Sequence, residues 1–156
     1  MALTNLLNTE QAVNEFMDIF MTELKNQLAS MGKAVTGELI GSLSYKVNRS
    51  GNGFQAVLTS ASYLDVVDGG RRPGKFPPLN DIRNWVEAKG IKIGTLDQTA
   101  FVIARSISQK GIKPTNVIEI SFDIAWDRYK GKFADKIEQD FNEMIDSIQL
   151  KLNNVK

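Results

Sequence analysis

The chain of 156 residues contains no cysteine and no histidine. Without cysteine there are no disulfides, no thiolate chemistry and no cysteine-ligated zinc. Without histidine the commonest general base and commonest metal ligand are missing, and Ser–His and Cys–His nucleophile systems are excluded. No apolar run approaches the roughly 20 residues of a membrane helix. The N-terminus, Met1-Ala-Leu-Thr-Asn-Leu-Leu-Asn8, has no basic segment leading into an apolar one, so no secretory signal is expected. The expectation is a soluble chain made in a cytoplasm, with no membrane partner. Proline is scarce too: of four in the chain, three fall within Ser60–Pro78.

What is present is ordinary for a globular protein. Apolar residues make up 42% and charged residues 24%, which predicts one domain spanning 1–156 with a real core. The net charge of +1 is unevenly spread. Residues 71–113 carry nine Lys/Arg against three Asp/Glu, whereas residues 1–70 carry four against seven and the remainder six against eight. A basic middle between acidic flanks suits self-assembly or partner docking, and equally an ordinary solvated surface.

The periodicities predict an α+β fold: a long N-terminal helix, a central β-hairpin or small antiparallel sheet, further helices, and a long C-terminal helix. Asn8 and Gln11 make a capping-box pattern. Val13, Phe16, Met17, Phe20, Leu24, Leu28 and Met31 follow at helical spacing, and Gly32 closes that helix. Thr36–Leu43 reads as a short connector. Ser44–Arg49 and Phe54–Thr59 read as strands joined by the turn Ser50-Gly-Asn-Gly53. Tyr63–Asp68 reads as one helical turn, and Arg71–Pro78 as an extended loop, because prolines fix φ. Pro78 opens a helix with Ile82, Trp85 and Val86 inward. Thr95 and Gln98 box the next helix, whose apolar face is Phe101, Ile103, Ala104 and Ile107. The tetrapeptide Lys-Gly-Ile-Lys at 89–92 and again at 110–113 predicts one αL helix stop used twice. Val117–Tyr129 is read as helical or partly extended, broken at Gly131. A final stripe of Phe133, Ile137, Phe141, Met144, Ile145, Ile148 and Leu152 follows, with Asp135, Glu138, Asp140, Glu143 and Asp146 mostly outside it.

Three kinds of chemistry are open to the Ser60–Pro78 region. Asp65 and Asp68, three apart beside Arg71 and Arg72, are a candidate metal or acid–base pair, or a solvated turn. The glycines around Arg71 lack phosphate-loop spacing, so an enzyme is not expected. Arg71, Arg72 and Lys75, with Arg83, Lys89 and Lys92, are candidate phosphate contacts near Phe76 and Trp85, which makes a small non-sequence-specific nucleic-acid-binding module the alternative function. The third reading is an assembly surface. A proline-stiffened loop loses little entropy on docking, arginine forks suit partner carboxylates, and Phe76 supplies an apolar anchor.

An ordered set of segments resembles the tail-completion, or head–tail joining, proteins of long-tailed bacteriophages. Thr36-Gly37-Glu38-Leu39-Ile40-Gly41-Ser42-Leu43 looks like the family's lead-in to its hairpin. Ala61-Ser62-Tyr63-Leu64-Asp65-Val66-Val67-Asp68-Gly69-Gly70-Arg71-Arg72-Pro73 resembles its Tyr-Ala-x-x-Val-Glu-x-Gly-Thr-Arg-Pro signature. Phe76-Pro77-Pro78 through Trp85-Val86 and Lys89-Gly90 resembles its Pro-Pro…Trp-Val…Lys-Gly helix. Ala104-Arg105-Ser106-Ile107 with Lys110-Gly111-Ile112-Lys113-Pro114 resembles its Ala-Arg-x-Ile-x-x-Lys-Gly-Ile-x-Pro element. The likeness covers about Leu39–Pro114. It departs at Asp68, where Glu is usual, at Arg71, where Thr is usual, and after Pro114, where Phe-Leu is replaced by Thr115-Asn116-Val117-Ile118. The resemblance implies a structural virion protein of the neck, assembled in the host bacterial cytoplasm as a homo-oligomeric ring, a hexamer or dodecamer, without cofactor. It implies as partners the head connector or stopper and the tail terminator or tail-tube proteins, with genomic DNA passing non-specifically through the lumen. Arg71, Arg72, Pro73, Lys75, Phe76 and Pro77 are then the expected interface, and Arg83, Lys89 and Lys92 the expected lumen contacts.

Overall fold

A computed structural model describes residues 6–32, 37–51, 53–61 and 63–153. The predicted turn residue Asn52, the motif residues Thr36 and Ser62, and the termini at 1–5 and 154–156 lie outside the described residues. The elements run α1 (Leu7–Ser30), α2 (Glu38–Ser42), β1 (Ser44–Ser50), β2 (Gly53–Thr59), α3 (Leu64–Gly69), α4 (Leu79–Lys89), α5 (Leu96–Lys110) and α6 (Val117–Asn153). The fold is α+β, mostly helical with one two-stranded antiparallel sheet, and both terminal helices are long. Among the described residues no helix is long and apolar enough to cross a membrane. The contacts gather the chain into two compact units. One comprises Met1–Glu23, Ser44–Leu58 and Ser121–Lys156, the other Leu24–Leu43 and Thr59–Ile120.

The first unit is built on aromatic packing. Phe16 lies edge-on to Phe122 at 5.2 Å and to Trp126 at 5.9 Å, and Phe20 meets Phe122 at 6.1 Å. Such edge-to-face pairs add to plain area burial. Ala12, Phe16, Met17, Phe20, Met21, Ala125 and Tyr129 are buried. Polar tips line the seam. The Tyr129 hydroxyl donates to Glu15 at 2.5 Å, Arg128 pairs with Glu23 at 2.6 Å, and the Tyr45 hydroxyl of β1 donates to Asp18 at 2.7 Å. Burial first, and then the Asp18 carboxylate, push the Tyr45 phenol up to about 12. The bond from Tyr129 is the main cause holding Glu15 below its usual range.

The start of α1 departs from the predicted capping box. Gln11 bonds Glu15 rather than the helix end, and the orphan amides are served from the opposite end of the chain. Asp140 of α6 accepts from the Asn8 amide at 3.1 Å, the Thr9 amide at 2.7 Å and the Thr9 hydroxyl at 2.6 Å. A carboxylate suits this position because the first turn exposes unpaired N–H groups at the positive end of the helix dipole. Asp140, outside the apolar stripe of α6 as its spacing predicts, is therefore buried.

In the second unit α4 packs on α5, and Leu24, Leu28, Leu39, Leu43, Leu64, Val86, Ala100, Ala104 and Val117 form the core. The Thr95–Gln98 capping box is present in full. Pro78 takes the N-cap position of α4 rather than its first turn. Trp85 does not point inward. It is half-exposed beneath the Lys89 ammonium, 5.6 Å from its ring, while Val86 fills the core. Residues i and i+4 meet on a helix surface, and the cation over the ring satisfies both.

Two further expectations are corrected. Gly131 does not break α6, which runs unbroken from Val117 to Asn153. One mid-helix glycine costs only about 1 kcal/mol, and the aromatic contacts on either side of it hold the helix in place. The two Lys-Gly-Ile-Lys segments also differ. Gly90 is αL, with the Ile91 amide bonded back to Val86, whereas Gly111 is at φ 72, ψ −167. The second stop is reshaped because Ile112 leaves the helix to bridge Arg71.

Candidate functional site

The Ser60–Pro78 region folds inside the second unit. Leu64 is fully buried and anchors α3, which ends at Gly69. The next residue, Gly70, has φ 71, and a Cβ there would meet the Ile112 carbonyl at 2.5 Å and the Pro114 nitrogen at 2.7 Å. Glycine is what lets the two backbones approach so closely. The Arg71 amide donates to the Ile112 carbonyl at 2.9 Å, and the Ile112 amide returns a bond at 2.8 Å. Gly74 adds a bond to the Ser108 carbonyl at 2.7 Å, and the Arg71 guanidinium turns back to the Lys75 carbonyl at 3.3 Å. The loop thus has no regular structure of its own but is pinned at Arg71 and Gly74 to the end of α5 and the residues just after it.

Asp68 is engaged elsewhere. Its backbone carbonyl accepts from Thr115 and Asn116, and its carboxylate accepts from the Ile118 amide at 2.8 Å in the first turn of α6. It does for α6 what Asp140 does for α1. Asp65 points to solvent. Among the described residues no group of three His, Cys, Asp or Glu side chains is placed to hold a metal ion.

The predicted interface residues divide. Arg72, Pro73, Lys75 and Phe76 are exposed, and Arg71 is half-buried. Pro77 is buried, so it supports the loop from within rather than offering a surface. The Phe76 ring, 43% exposed, leans on Phe101 with centroids 5.6 Å apart. Phe101 was expected inside; it is 50% exposed because Thr99, Ala100 and Ala104 fill the inner face of α5. Phe101 also borders an open cleft of about 420 Å³ between α4 and α5, lined with Leu79, Arg83 and Ala100. Sequence periodicity missed Phe101 and Leu79 as surface anchors. The available signal was the flanking pair of alanines, small enough to be the buried positions.

The three expected lumen contacts differ in what holds them. Arg83 is ion-paired with Asp97, Lys89 donates to the Gly32 carbonyl at 3.1 Å, and only Lys92 extends into solvent without such a bond described. The site has a stiff backbone, exposed guanidinium and ammonium groups, and an aromatic pair beside an apolar cleft. Comparison with protein-family models, with curated proteins and with solved structures finds no match to this chain.

Proposed function

We propose that the protein is a structural component of the neck of a long-tailed bacteriophage, forming an oligomeric ring that joins the head connector to the tail. The observation that carries this reading is the folding of two resembling segments onto each other. Ala61–Pro73 and Ala104–Pro114, separate in sequence, meet through the Arg71–Ile112 bridge. Their glycines and prolines have a shared purpose: Gly70 allows the approach, and Pro114 closes the far side of it. A pinned loop is pre-organised, so docking loses little conformational freedom. Arg72 and Lys75 supply charge for partner carboxylates, and Phe76 supplies the apolar contact. Catalysis has no part in this function. The nucleic-acid alternative is weakened by the internal engagement of Arg83 and Lys89.

The test is made in the phage. Arg72→Glu, alone and with Arg71→Glu, should leave the purified chain folded by circular dichroism while filled heads and finished tails accumulate unjoined. Normal yields of joined virions from both variants would overturn the reading. A mobility shift of duplex DNA that weakens steeply with salt would instead favour the nucleic-acid module.

A further inference from the structure

The C-terminal half of α6 carries an apolar stripe in solvent. Ile137 is 45% exposed, Phe141 56%, Ile148 47% and Leu152 66%. Their spacing keeps them on one side of the helix, with Ile145 between them. A continuous apolar stripe of this kind marks a contact surface. The charge beside it is mostly negative: Glu138, Glu143 and Asp146 are exposed there, with Lys136 and Lys151 at its two ends and Asp140 turned away to cap α1. The second unit presents the opposite. Leu79 and Phe101 are exposed along the α4–α5 cleft and Phe76 leans on Phe101; the cleft's own charges, Arg83 and Asp97, pair with each other, and the surplus positive charge is that of exposed Arg72 and Lys75, close to Phe76 in the chain.

We propose that the α6 stripe of one copy of the chain docks on the Phe76–Leu79–Phe101 cleft of a second copy, head to tail. An amphipathic helix laid in an apolar groove is a standard recognition mode, with anchors one or two turns apart. The anchors here are Ile137, Phe141 and Ile148. Glu138, seven residues before Ile145, lies beside the stripe and would face Arg72 and Lys75, the exposed cations near Phe76 in the loop. Pairing of α6 with α6 would set mostly carboxylates against carboxylates, with Lys136 and Lys151 as the cations at the ends of each stripe. Unlike surfaces that join head to tail leave one free stripe and one free cleft on every partial assembly. Closure of the rotation then yields a ring. The inference rests on the neck reading for the purpose of that ring.

The experiment measures the mass of the full purified chain in solution by light scattering after size exclusion. The wild type should form assemblies larger than a dimer. Phe141→Glu removes the stripe and Phe101→Glu removes the cleft; both side chains are exposed, so folding should survive, as circular dichroism checks. Each variant alone should be monomeric, and an equal mixture should give one-to-one dimers, since one variant keeps its stripe and the other its cleft. Ile148→Glu and Leu79→Glu form a second such pair should either first variant misfold. A wild type that stays monomeric, variants that keep wild-type mass, or a mixture with no dimer would overturn the proposal. Loss of assembly in Phe141→Glu with none in Phe101→Glu would point to α6 self-pairing instead. A monomeric wild type would leave the neck reading standing, because the phage test of Arg72→Glu is read in virions and not in solution.

Discussion

Two carboxylates and one glycine have a structural weight that their residue types alone do not announce. Asp140 is the clearest. Burial, the largest single influence, raises its carboxyl, but the bonds from Thr9 and Asn8 together outweigh it and hold it below the ordinary value of 3.8. A lowered folded-state pKa stabilises the fold above the unfolded-state value, and that stabilisation is lost as pH falls through the folded-state value. Asp140→Ala should therefore lower the unfolding free energy at neutral pH by about 1–2 kcal/mol, the usual worth of a helix cap. In acid the gap between variant and wild type should close, as urea titrations at neutral pH and below the carboxylate range would record. Gly70 gives a sharper contrast with its neighbour. A Cβ at Gly70 collides with backbone, whereas one at Gly69 meets nothing within 4 Å. Gly70→Ala should cost well over about 1 kcal/mol, the αL penalty alone being of that size, and Gly69→Ala should leave the melting temperature near that of the wild type.

At the scale of elements, both long helices begin on a foreign carboxylate. Asp140 caps α1 within one unit and Asp68 caps α6 within the other. Local caps such as the Thr95–Gln98 box were legible because both partners lie within one turn. The long-range caps were not, since the two groups are more than a hundred residues apart for α1. Gly131 shows the same limit from the other side. Its propensity argues for a break, yet aromatic packing before and after it keeps α6 continuous. Nothing lies within 4 Å of a Cβ built there. Gly131→Ala should thus stabilise the chain by up to about 1 kcal/mol, visible as a raised denaturant midpoint with an unchanged slope.

At the scale of the whole molecule the relevant property is its uneven charge. A basic middle segment holds the cleft and an acidic C-terminal segment holds the stripe. If these meet between copies, assembly should weaken as salt is raised, because rim charges are screened while apolar contacts are not. Light scattering in low and high sodium chloride would read this as a fall in mean mass with ionic strength, and an unchanged mass would count against the pairing of the acidic stripe with Arg72 and Lys75. Alkaline pH acts on a different part. The Tyr45 phenol, raised to about 12, stabilises the fold below its unfolded-state value of 10.0, and this is lost as pH rises through the folded value. Tyr45→Phe should remove that component of alkaline unfolding.

The sequence by itself determined the classes of chemistry closed to this protein, the α+β architecture, most helix stops and the extended loop at Arg71–Pro78. Each of these follows from residue type or from spacing within a turn or two. Only the tertiary structure decided which faces are wet. Trp85, Phe101 and the α6 stripe carry the same periodicity as core residues, and Pro77 is buried where a surface residue was expected. Periodicity shows that a helix has an apolar side. Whether that side is covered depends on partners distant in sequence, and for Phe76, Phe101 and the stripe of α6 no residue described in the chain completes the cover.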